Sequence, residues 1–113
     1  MAQTPDVVIR YWRHEAVQRN PMILLGKVNP ETIDDTHMEV YRAPIQLAAD
    51  PRQNMQLLFE QFNSEDNNPL AASEMIRANG LHTSMSIGDL IEVEYNSTKE
   101  TWVCAGFGWK KIK

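Results

Sequence analysis

The chain has 113 residues, 42% of them hydrophobic and 23% charged, with a formal net charge of −4. That length suits one domain, 1–113, with residues 1–5 expected as a flexible tail, and the apolar fraction excludes a wholly disordered chain. The single cysteine excludes an internal disulfide and favours a reducing compartment. No apolar run approaches the ~18 residues of a membrane span, and residues 1–6 show neither a basic region nor an apolar leader. The expectation is a cytoplasmic protein without membrane contact.

Val7 to Trp12 is β-branched and aromatic, as a strand requires. Val7, Ile9 and Tyr11 would share one face, with Val8, Arg10 and Trp12 on the other. His14 to Asn20 fits either a helical turn or a loop, and Pro21 ends it. Met22 to Val28 is a second apolar stretch, and Asn29-Pro30-Glu31-Thr32 is turn chemistry. Thr36 to Ala43 alternates in the manner of a half-buried strand.

The clearest helix begins at Asp50, which can cap, with Pro51 in the first helical position and Gln53 placed for a capping box. Met55, Leu58, Phe59 and Phe62 then fall on one stripe. Asn68-Pro69 repeats the start signal for a second short helix, carrying Ala72, Met75 and Ile76 inward and ending at Asn79-Gly80. Leu90 to Tyr95 alternates again. Asn96 to Glu100 is a polar loop of hairpin length, and Thr101 to Ala105 returns. The expected architecture is α+β: a small antiparallel sheet with two short helices packed on one side.

The run His82-Thr83-Ser84-Met85-Ser86-Ile87-Gly88-Asp89-Leu90-Ile91, followed by Cys104-Ala105-Gly106-Phe107-Gly108-Trp109, resembles a pattern S-M-S-(V/I)-G-D … C-A-x-F-G-W. That pattern occurs in the YodL-like group of small phage and mobile-element proteins. The resemblance extends over the last two-thirds of the chain and implies a phage or mobile-element origin and action in the bacterial host cytosol. It names no activity. The residues themselves are those of a hairpin entry and exit: glycine for tight turns, serine and aspartate for local backbone bonds.

No combination of residues stands out as catalytic, cofactor-binding or metal-binding. His14, His37, His82 and Cys104 lack finger or metalloprotease spacing. Cys104 with His82 and Asp89 has the residue types of a nucleophilic site, but Cys104 stands among apolar neighbours on a strand. Asp34-Asp35, Glu65-Asp66 and Glu92 with Glu94 are carboxylate pairs, and the last pair reads as a solvent-facing strand. Gly106-Phe107-Gly108 lacks the helix and lysine of a phosphate loop. No enzyme and no cofactor are expected.

Charge is distributed unevenly. Residues 31–100 hold four cations against thirteen acids, a balance of −9, while residues 1–30 stand at +2 and residues 101–113 at +3. Two binding roles follow. Glu31, Asp34, Asp35, Glu39, Glu60, Glu65, Asp66, Glu92 and Glu94 would dock a host protein with a basic surface. Alternatively, Trp102, Phe107 and Trp109 beside Lys110, Lys111 and Lys113, joined by Arg10, Arg13 and Arg19, would stack on and neutralise nucleic acid. The acidic middle favours the protein partner, for instance a nucleic-acid-handling or defence enzyme that the chain would inhibit. The sequence leaves the oligomeric state open.

Overall fold

A computed structural model describes residues 4–95 and 97–113. Its sheet has five strands: β1 (Asp6–Trp12), β2 (His37–Pro44), β3 (Leu90–Tyr95), β4 (Thr98–Ala105) and β5 (Gly108–Lys111). All neighbours are antiparallel, in the order β2-β1-β3-β4-β5. Four short helices accompany it: α1 (His14–Arg19), α2 (Ile33–Thr36), α3 (Pro51–Gln61) and α4 (Glu74–Ala78). The α+β architecture expected from the sequence is the one observed.

The alternation in β1 divides the sheet. Val7, Ile9 and Tyr11 join Ile91, Val93, Trp102, Cys104 and Trp109 in a core closed by Met55, Leu58, Phe62 and Ile76 from α3 and α4. Each fully buried side chain of this size contributes about 1.5–3 kcal/mol. The helix α3 forms where its signals lie: Asp50 accepts from the Arg52 amide at 3.0 Å, and Pro51 follows the cap. Asn54 was not anticipated on the buried face. It holds the Ala48 amide and carbonyl at 2.9 Å each, which fastens the β2–α3 connection along the helix.

The opposite sheet face is covered far less. A smaller cluster of Ile33, Leu90 and Val103, with Val28 and Ile112 beside it, seals one part. In β2 the register shifts between Ile9 and Arg10, whose partners are Tyr41 and Glu39, so Val40 is the extra residue of a bulge.

Several boundaries differ from the sequence reading. The apolar stretch Met22–Val28 opens within a 3-10 turn, Pro21–Leu25, and Gly26 ends that turn at φ +82°. The second helix starts at Ser73, whose hydroxyl caps Ile76, because the Asn68 side chain closes only a turn onto Leu70. Strand β5 was missed, since Gly106-Phe107 is a hairpin turn joining it to β4. Of the expected tail, residues 1–3 lie outside the described residues, whereas Pro5 is buried and accepts from the Ile45 amide at 3.1 Å. In the expected 96–100 loop, Asn96 lies outside the described residues and Thr98 already opens β4.

Candidate protein-binding surface

The lightly covered sheet face carries most of the organised charge. Arg42 on β2 reaches Glu39 at 2.9 Å and Glu94 on β3 at 2.7 Å. That pairing holds the Glu39 carboxyl below its ordinary range, chiefly through the hydrogen bond from Arg42. Arg10 on β1 bonds Glu92 on β3 and reaches Asp34 of α2 at 3.4 Å. Lys99 on β4 closes the other side of Glu92 at 3.2 Å. Two arginines therefore join four carboxylates from two strands and a helix. Asp35 and Glu31 stand beside them, exposed and without an ion pair among the described residues. A cavity of about 80 Å³ opens between Glu31, Asp34, Arg10, Glu92, Lys99 and Thr101.

Glu92 corrects the sequence reading. Its side chain is 3% exposed, on a central strand, clamped between two cations. It is a buried ion-pair member and cannot meet a partner. Glu60, Glu65 and Asp66 are exposed, but they lie on and after α3, on the opposite side of the sheet. The nine acids thus divide into Glu31, Asp34, Asp35, Glu39 and Glu94 on one surface, three on another, and Glu92 inside.

The aromatic and basic set does not assemble for stacking. Trp102 is 7% and Trp109 6% exposed, both on the helix-covered face. The Arg52 guanidinium lies 5.6 Å from the Trp102 ring, and Phe59 meets the Trp109 edge. Phe107 alone is open, at the β4–β5 turn, and Lys110, Lys111 and Lys113 are exposed around a short edge strand. Arg10 is committed to its carboxylates.

The S-M-S-I-G-D segment is a structural junction. Asp89 is fully buried and accepts from Trp12 N at 3.0 Å, Ser86 N at 2.8 Å and His82 Nε2 at 2.7 Å. Burial pushes its carboxyl up, opposed by the His82 bond. His82 stacks on Tyr11 at 4.4 Å and packs against Trp12 at 4.3 Å. Cys104 is near Asp89 only through backbone bonds, and burial with the Asp89 charge pushes its thiol up to about 11. A thiol held in that state is a poor nucleophile at neutral pH. Among the described residues, no three metal-ligating side chains converge.

His37 is 1% exposed and anchors the start of β2. Its Nε2–H donates to Gly88 O at 2.7 Å, while Nδ1 meets Thr36 Oγ1 at 2.7 Å. Burial lowers its pKa to about 4, so the folded state holds it neutral. The unfolded chain, with an ordinary value near 6.5, takes up the proton first as pH falls. Stability is therefore complete above pH ~6.5 and declines toward pH 4, by about 2 kcal/mol between pH 7.5 and 5. Urea unfolding at these two pH values should show this loss, and His37→Gln should remove most of it.

Part of the chain is similar to a viral protein. An uncharacterised protein of Acanthamoeba polyphaga mimivirus is 44% identical over 45 residues, which is 37% of this chain and 41% of that protein. The match thus spans less than half the length of its viral relative. No family model matches the chain, and no solved structure matches it. No helix among the described residues is long and apolar enough to cross a membrane.

Proposed function

We propose that the chain is a non-enzymatic accessory protein of the phage or mobile-element type that its motif resembles, acting in the bacterial host cytosol. It binds a host protein with a basic surface, through Glu31, Asp34, Asp35, Glu39 and Glu94, and so inhibits a nucleic-acid-handling or defence system. The observation that carries this reading is the pair of arginines that fix carboxylates from β2, β3 and α2 on one sheet face. Of the five, Asp34, Glu39 and Glu94 are already paired with arginine and lose less side-chain freedom on docking. Their field speeds the approach of a basic partner and sets its orientation. The partial similarity to an uncharacterised viral protein supports a viral origin alone.

The test is affinity capture from bacterial lysate at two salt concentrations, with and without nuclease, using the wild type and a Glu31→Gln/Asp34→Asn/Asp35→Asn variant. A discrete protein that survives nuclease, weakens with salt and falls at least about tenfold with the variant is the expected outcome. Capture that disappears with nuclease transfers the role to Phe107 and the C-terminal lysines. Capture unchanged by the variant removes the acidic face from the account.

A further inference from the structure

Met22, Leu24 and Leu25 are 40%, 43% and 63% exposed, three large apolar side chains within four residues. They belong to the 3-10 turn Pro21–Leu25, in which only Ile23 is buried. Side chains three residues apart eclipse in such a turn, so Met22 and Leu25 stand on one flank of Ile23 and Leu24 on the other. The turn is clamped and cannot roll these side chains inward. A Cβ on Gly88 would lie 2.4 Å from the Ile23 carbonyl oxygen, and a Cβ on Gly26 would lie 2.9 Å from Ala105 Cβ. Asn20 caps the turn through the Met22 amide at 3.3 Å, and the Lys27 amide closes it onto Met22 O at 3.1 Å.

The charge beside this ridge has one sign. Met22, Lys27, Val28, Lys110 and Ile112 line one open depression, and none of its lining residues is acidic. Lys27 and Lys110 are exposed, and neither has an ion pair among the described residues. Between Glu15 and Glu31 the chain carries Arg19 and Lys27 and no acid, and residues 101–113 carry lysines alone.

We propose that this corner of the fold docks on an anionic lipid surface. Met22, Leu24 and Leu25 enter the boundary between headgroups and acyl chains, and Lys27 and Lys110 meet the headgroup phosphates. An aliphatic ridge bordered by cations suits that boundary, where apolar burial and attraction to anionic lipid add together. A nucleic acid would call for aromatic side chains to stack on its bases, and the turn has none. The expectation of no membrane contact rested on the lack of a spanning segment, and a docked turn needs none. None of the acids assigned to the protein-binding face lines this depression, and the inference stands apart from that assignment.

Flotation with lipid vesicles provides the test. The wild type should float with vesicles of phosphatidylglycerol and phosphatidylcholine in equal parts, less so in high salt, and not with phosphatidylcholine alone. Leu24→Ser/Leu25→Ser removes the ridge and keeps the lysines; Lys27→Gln/Lys110→Gln does the reverse. All four positions are exposed, so both variants should keep the circular dichroism of the wild type. Each should bind the mixed vesicles at least about tenfold more weakly. The proposal is overturned by a wild type that does not float with the mixed vesicles, or that floats equally with phosphatidylcholine alone. Undiminished binding by the leucine variant overturns it too, since lysines that hold any polyanion would then suffice. So does undiminished binding by the lysine variant.

Discussion

Arg10→Met is expected to lower unfolding stability by about 3–5 kcal/mol, the cost of leaving a buried carboxylate without its main counter-charge. Glu92 is 3% exposed in its side chain, and the partner remaining, Lys99, is 43% exposed and joins it only at 3.2 Å. The companion change Glu92→Leu should be milder, because Arg10 retains 15% exposure and the Asp34 carboxylate. The double variant should recover to within about 1 kcal/mol of the wild type, since a buried ion pair seldom outperforms apolar groups of similar volume. Chemical denaturation of the four proteins closes the cycle. An Arg10→Met protein as stable as the wild type would mean that water reaches Glu92. Loss of stability in the double variant as great as in Arg10→Met would mean that the arginine stem, not its charge, matters.

Gly88→Ala should cost a similar amount for a different reason. Gly88 has φ +96°, where a Cβ costs about 1–2 kcal/mol. That Cβ would also lie 2.4 Å from the Ile23 carbonyl oxygen and 2.9 Å from its side chain. Overpacking of this kind adds about 1–3 kcal/mol. Relief requires moving backbone, yet the Gly88 amide is bonded to Cys104 O and its carbonyl to His37. Calorimetry should show a melting temperature lower by about 10–20 °C. Gly80→Ala supplies the control: its φ is +65°, but nothing lies within 4 Å of the added carbon. It should lose only the conformational part. Equal losses at the two glycines would refute the steric share of the argument.

These two sites show what local sequence carries and what it omits. The α3 helix was legible because Asp50, Pro51 and the Met55–Phe62 stripe are all local signals. The β1 alternation was legible for the same reason. Glu92 was misplaced because a charged residue at period two normally faces water, and its partner stands far away in sequence. A signal was present: Arg10 within an apolar β1, and Glu92 between Ile91 and Val93 in β3, are residues that a central pair of strands must neutralise mutually. Trp102 and Trp109 beside lysines are compatible in sequence with stacking on a ligand and equally with closing the core; only the sheet order reveals that α3 covers them. Strand β5 escaped because four residues after a two-residue turn carry almost no periodicity. Ser73 outcompeted Asn68 as the α4 cap through a hydroxyl bond to Ile76, a choice no residue preference predicts.

The sheet order also bears on how the chain reaches this state. Strand β1 is made early yet lies inside the sheet, and its second neighbour is β3, paired from Asp6 to Glu94. Until that late segment arrives, Val7, Val8 and Ile9 have one open strand edge. Closing such a distant pairing is slow on topological grounds, and the waiting intermediate exposes an apolar edge suited to aggregation. Production of this protein should therefore respond more strongly to chaperone supply and growth temperature than its small size alone would lead one to expect.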